Sequence, residues 1–140
     1  MRRLAAILFM DVVGYSKRMS LDESGTLAQI KSFKDDCLLP LVSRFNGKVI
    51  KSLGDGWLVS FSSCFDAVSC ADGLKKMLSS NPLDMRFGVN SGDVQFENDD
   101  VFGDTVNIAA RLEAISSSNE ITVSESVYQS LEKDWKNSFK

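Results

Sequence analysis

The sequence predicts an α+β fold built on a β-α-β-β-α-β core, and three observations carry the prediction. Residues 4–13 (LAAILFMDVV) form a continuous apolar run broken only by Asp11, the mark of a strand buried on both faces. Two short strand-like runs, 48–53 and 57–61, flank Gly54-Asp55-Gly56, which reads as a tight hairpin turn. Stretches of helical periodicity lie between the first strand and that hairpin, and again between the hairpin and a fourth strand. Such an order is the split-βαβ, or ferredoxin-like, arrangement, with helices on one face of an antiparallel-containing sheet.

Each element has its own local reason. Ser20 or Asp22 can cap the helix after the first strand, where Leu27, Ile30, Phe33 and Cys37/Leu38 repeat at helical spacing up to Pro40. Leu41, Val42 and Phe45 extend the pattern by about one turn, so Pro40 either kinks this helix or opens a second segment. Asn46-Gly47 is a turn before the hairpin. Phe65, Val68, Ala71, Leu74 and Leu78 then define a helix over Cys64–Leu78, ended by Asn81-Pro82. The fourth strand is expected at 85–89 and a fifth at 92–96, because the polar 97–100 stretch reads as a loop. A helix over 105–115 with Asp104 or Thr105 as cap, a strand at 121–123, and a last helix from Ser124 through Leu131 make a strand-helix extension.

Composition narrows the function. The 140 residues suit one domain, 1–140, and contain no repeat or linker. Sixteen Lys+Arg against nineteen Asp+Glu, a net charge of −3, argue against nucleic acid or an anionic membrane as partner. Histidine is absent, which removes Ser-His-Asp and Cys-His catalysis and His-ligated zinc. Cys37, Cys64 and Cys70 have no Cys-x-x-Cys spacing, so neither disulfides nor zinc are indicated, and a reduced, cytoplasmic setting is the expectation. Arg2-Arg3 and the apolar run behind them imitate a signal peptide, but Asp11 ends that run early; no stretch approaches the roughly 18 apolar residues of a membrane span.

The topology has a geometric consequence. Right-handed crossovers make the first and second strands parallel, with the third antiparallel between them. The end of strand one and the turn joining strands two and three therefore share one rim, and Asp11 and Asp55 stand there. Adjacent strands lie about 4.8 Å apart, so the two carboxylates can converge. Beside glycines they make an oxygen-rich site for a hard cation such as Mg²⁺, and amides near Gly14 could hold phosphate oxygens. Asp55 alone reads first as a plain Asp-Gly turn. Asp11 is harder to explain that way, since an acid ending a buried strand is costly unless paired or metal-bound. Asn107 and Arg111, four apart, share a helix face suited to a phosphate or oxyanion, or to plain solvation. Lys51 and Arg86 have the bland reading of strand-edge charge.

Taken together, four blocks resemble the class III adenylyl/guanylyl cyclase catalytic domain, in its bacterial homodimeric form. They are Phe9-Met10-Asp11-Val12-Val13-Gly14-Tyr15-Ser16, Lys51-Ser52-Leu53-Gly54-Asp55-Gly56, Arg86-Phe87-Gly88-Val89-Asn90-Ser91-Gly92 and Phe102-Gly103-Asp104-Thr105-Val106-Asn107-Ile108-Ala109-Ala110-Arg111. They stand in the family's order across residues 4–128. The resemblance implies conversion of ATP to 3′,5′-cyclic AMP and pyrophosphate with two Mg²⁺ or Mn²⁺ ions per site. GTP or a pyrimidine nucleotide is the alternative substrate, and a weak or inactive nucleotide-binding module the alternative function.

By the same resemblance, Asp11, Asp55 and the Val12 carbonyl hold the metals, and amides of Val13, Gly14 and Tyr15, with Arg86, contact the phosphates. Lys51 and Asp100 read the base, Asn107 orients the ribose, and Arg111 stabilises charge on the α-phosphate. Lys51, Asp100, Asn107 and Arg111 would face the metals of the other subunit, giving a head-to-tail homodimer with two composite sites. The family continues past the position of Phe139 into two strands carrying a triphosphate-binding lysine. No residue here matches that lysine, and Trp135 and Phe139 are expected to pack where those strands would lie. A regulatory domain outside these residues is compatible with all of this.

Overall fold

The computed structural model describes residues 1–138, with side chains described through residue 131. In chain order it forms β1 (Arg2–Val12), α1 (Tyr15–Leu21), α2 (Glu23–Phe33), a π-helical stretch (Lys34–Leu38), α3 (Leu39–Arg44), β2 (Lys48–Ser52) and β3 (Gly56–Phe61). Then follow α4 (Cys64–Leu78), β4 (Met85–Glu97), β5 (Asp100–Phe102), α5 (Asp104–Ala114), β6 (Ile121–Val123) and α6 (Glu125–Ser138). Strand order is β2-β3-β1-β4-β5, with β6 parallel to β4 and every other pairing antiparallel. The βαββαβ core is therefore present as expected, with β1 and β2 parallel about β3.

Alternation along β1 divides the interior in two. Ala6, Leu8, Met10 and Val12 face the larger core, which Ile30 and Phe33 of α2, Leu41 of α3, Leu74 of α4 and Val127 of α6 complete. Ala5 and Ile7 face the opposite side, where Val106 and Ala109 of α5 close a smaller core with Leu58, Val94 and Val101. The core helices and α6 thus share one face, while α5 covers the other. Gly88 makes that second layer possible: a Cβ there would collide with the backbone of Ala109 and Glu113, so only glycine lets α5 lie directly on β4.

Several boundaries differ from the sequence expectation. The two strands foreseen at 85–89 and 92–96 are one thirteen-residue strand, β4, because β1 pairs with it along its length from Arg2↔Gln95 to Val12↔Met85. The loop foreseen at 97–100 is a hairpin turn in which Asn98 and Asp99 take φ of 53° and 61°, the left-handed pair of a type I′ turn, and leads into β5. Residues 15–21 form a separate helix, and Asp22 then caps α2 by accepting from the Gly25 N–H at 3.0 Å. Pro40 opens a second segment, sitting in the first turn of α3 behind the π-helical stretch. Gly103, not Asp104 or Thr105, caps α5, without a side-chain bond.

Ser124 caps α6 as expected, accepting from the Val127 N–H at 3.3 Å, though the helix continues past Leu131 to Ser138. Phe139 and the side chain of Trp135, assigned a packing role above, lie outside the described residues. Among the described residues no helix is long and apolar enough to cross a membrane.

Candidate active site

The rim foreseen from topology exists. Asp11 is the register partner of Gly56, and the Val12 N–H donates to the Asp55 carbonyl at 2.7 Å. Gly54 supplies the left-handed φ of 89° that the turn needs. A Cβ at Gly56 would strike the Met10 carbonyl, so glycine there lets the turn lie against the end of β1. Two half-buried acids, one at the end of a strand and one in a turn, are thereby neighbours.

Arg86 completes the rim. It faces Asp11 across the β1–β4 ladder and grips it in a fork, Nε to Oδ1 at 3.1 Å and Nη2 to Oδ2 at 2.9 Å. Its Nη1 donates to the Ala114 carbonyl at 3.1 Å, at the C-terminal end of α5, where a cation is favoured. The hydrogen bond to Asp11, reinforced by the charges of Asp11, Glu113 and Asp55, outweighs burial and raises the guanidinium pKa.

Glu113 is the residue that sequence reasoning missed. It is 8% exposed, in contact with Asp11, and its Oε1 lies 3.6 Å from Arg86 Nε without a hydrogen bond. Burial, then the hydrogen bond and charge of Asp11 and the charge of Asp55, push its carboxyl up to about 8, against the opposing pull of Arg86. A signal was present: Val106, Ala109 and Glu113 fall on one inward helical stripe, and an acid on such a stripe is out of place unless something holds it.

Among the described residues no three acidic, cysteine or histidine side chains form a ready metal cage. Asp11, Asp55 and the Val12 carbonyl offer a partial set of hard oxygens. That set fits Mg²⁺, which is usually held by one or two carboxylates and completes its shell with water and substrate phosphate.

Gly14, at φ 68°, opens α1 as its N-cap, and the first amides of a helix have no acceptor within it. The expectation for Val13 needs correction: its N–H is spent on the Asp84 carbonyl at 2.8 Å, a bond that ties this loop to the start of β4. Arg18 pins the same loop through Val13 O at 3.3 Å and Pro82 O at 3.0 Å.

Lys51 and Asp100, paired above only by resemblance, are in contact. Lys51 Nζ lies 3.2 Å from the Asp100 carboxylate, because the β4–β5 hairpin turns β5 back toward β2. Asp100 also accepts from the Val101 N–H at 2.8 Å, which, with Lys51, holds its carboxyl below the usual range. Asn107 and Arg111 are both exposed on α5, and among the described residues their side chains have no hydrogen-bond or ion-pair partner. One chain thus gathers Asp11, Asp55 and Arg86 at one rim and Lys51 with Asp100 as a second pair, while Asn107 and Arg111 point to solvent.

Known proteins resemble this chain. The family described as adenylate and guanylate cyclase catalytic domain matches residues 3–140. A Rhizobium meliloti protein named "Putative adenylate cyclase 3" is 40% identical over 136 residues, covering 91% of this chain and 23% of its own length. An adenylate cyclase of Streptomyces coelicolor is 30% identical over 124 residues, covering 87% of this chain and 32% of its own length. The chain therefore spans a third or less of these curated relatives. The crystal structure of an adenylate/guanylate cyclase/hydrolase from Silicibacter pomeroyi superimposes with a TM-score of 0.89 at 35% identity, covering 96% of this chain and 83% of that one.

Proposed function

Because the chain belongs to the adenylate and guanylate cyclase catalytic domain family, we propose that residues 1–140 act as a single catalytic domain converting ATP to 3′,5′-cyclic AMP and pyrophosphate. The observation that carries this reading is the meeting of Asp11 and Asp55 at one rim beside Arg86. The ribose 3′-hydroxyl attacks the α-phosphorus in line and pyrophosphate leaves, so the work asked of the protein is positioning and neutralising charge.

Asp11, Asp55 and the Val12 carbonyl would hold two Mg²⁺ or Mn²⁺ ions. When bound, such ions supply neutralisation of the triphosphate and a lowered pKa for the attacking hydroxyl, without any histidine. Arg86 and the Gly14 and Tyr15 amides bind the terminal phosphates. Lys51, donor-only, and Asp100, acceptor-only, face the base: adenine's ring nitrogen accepts from the first and its amino group donates to the second. Asn107 orients the ribose, and Arg111 faces charge developing on the α-phosphate. The last two are unpartnered and outward-facing, which suits donation to a second copy in a head-to-tail homodimer with two composite sites.

Purified protein incubated with each of the four nucleoside triphosphates and Mn²⁺, with products read by mass spectrometry, tests the reading. Cyclic AMP from ATP, lost about 10²–10³-fold or more in Asp11→Ala and Asp55→Ala, is expected. A cyclic product from GTP alone would move the substrate assignment; nucleotide binding without turnover from any triphosphate would replace the enzyme by a binding module.

A further inference from the structure

Each oxygen of Asp11 accepts one hydrogen bond from Arg86, through Nε and Nη2. A second lone pair remains on each, but a cation held by Asp11, as the proposed function requires, would meet the Arg86 charge at the same carboxylate, and opening the fork relieves that repulsion. Opening it leaves Arg86, whose side chain is 32% exposed, with only its bond to the Ala114 carbonyl. A partly buried guanidinium stripped of its carboxylate is costly and would return to Asp11 in competition with the incoming ion.

The molecule holds a second acceptor beside it. Glu113 Oε1 is buried, has no hydrogen-bond partner, and lies 3.6 Å from Arg86 Nε. A buried oxygen left without a donor calls for an explanation. Here a shift of a few tenths of an ångström would bring Nε within ordinary hydrogen-bond range. Glu113 and Ala114 are adjacent at the end of α5, so the same helical turn would hold the guanidinium before and after the shift.

We propose that Glu113 is a positioning residue that receives Arg86 when Asp11 turns to a cation, so that the two positive charges exchange partners instead of competing for one. The inference rests on the catalytic reading above. It assigns Glu113 no contact with nucleotide: beside its own contact with Asp11, it acts by keeping the Arg86 charge at the rim where phosphate arrives.

Binding of Mn²⁺ alone, followed by electron paramagnetic resonance on the 140-residue protein without nucleotide, tests it. Glu113→Leu should weaken binding by about 10- to 100-fold, the loss typical when a group backing a metal ligand is removed. Glu113→Gln keeps an acceptor oxygen and should recover part of that loss. In an Arg86→Gln background, where no guanidinium competes for Asp11, Glu113→Leu should change Mn²⁺ binding little. An equal loss in both backgrounds would mean that Glu113 acts as local charge or as a ligand, and would overturn the proposal. A reading independent of the variants comes from the ¹⁵N resonance of Arg86 Nε–H in the unaltered protein: on adding Mg²⁺ it should stay protected from solvent exchange, and loss of protection would be equally fatal. Asp11→Asn separates the two levels. If it leaves Mn²⁺ binding unchanged, the cation reading fails and this inference with it; if it abolishes binding while Arg86 and Glu113 act additively, only this inference fails.

Discussion

Glu113 places an acid where burial, and then Asp11 beside it, favours the protonated form. Its carboxyl has an ordinary pKa of 4.5 and is pushed up to about 8 in the folded chain, chiefly by burial. A group that binds its proton more tightly when folded contributes stability that is fully present below the unfolded value and is lost as pH rises through the folded one. In chelator-treated protein the melting temperature should therefore decline between about pH 5 and pH 9, and Glu113→Gln should flatten that decline. A thermal melt series across that range, in both proteins, checks the sign; a stability that rises with pH would contradict it. The residue could be read from the sequence only in retrospect. Asp11 stood out because it interrupts an apolar strand, whereas Glu113 sits at the end of a helix of mixed composition, where its inward direction depends on how α5 is rotated.

Elements show where local pattern and tertiary pairing disagreed. Asn90-Ser91 separates the two strands that the sequence predicts, but β4 runs through it unbroken. In the fold, Asn90 is buried and its amide donates to the Thr105 carbonyl at 3.1 Å, while β1 pairs across the whole stretch. Long-range partners absorbed residues that would otherwise favour a turn. Helix α4 was legible to the residue from its periodicity and its Asn81-Pro82 stop, and the structure adds a cap in Ser63, whose hydroxyl accepts from the Asp66 N–H at 3.1 Å. The packing of α5 gives a sharper test. Gly88→Ala would push a methyl group into the backbone of α5, an overpacking that typically costs about 1–3 kcal/mol. Denaturant unfolding should show that loss, and turnover should fall with it, because α5 carries Asn107 and Arg111. A smaller effect is expected at α2, where Asp22→Ala removes the cap on Gly25 and should cost about 1 kcal/mol by the same measurement.

At the scale of the whole molecule, connectivity made the central geometry readable. Two crossovers of fixed hand sufficed to put Asp11 and Asp55 at one rim, and the observed register agrees. The side on which α5 packs was not readable, since a short amphipathic helix fits either face of a sheet until Gly88 and the residues around it choose. Nor was the Lys51–Asp100 contact, which depends on a left-handed pair at Asn98 and Asp99. If sites are shared between two copies, Asp11→Ala and Arg111→Ala proteins, each inactive, should regain on mixing roughly one working site per heterodimer. Activity of the mixture measured against either parent decides it, and a mixture as silent as its parents would place the whole site within one chain.

The two-sided interior described for β1 gives such a pair an unequal division of labour. The acids hang from a sheet braced mainly by the large core, whereas Asn107 and Arg111 ride on a helix held by a few small apolar contacts around Val106 and Ala109. A lesion beneath that helix would leave its owner's acids in place and be felt next door, in the neighbour's chamber. Damage to the thinner layer would thus behave as a fault in what a subunit lends, not in what it keeps.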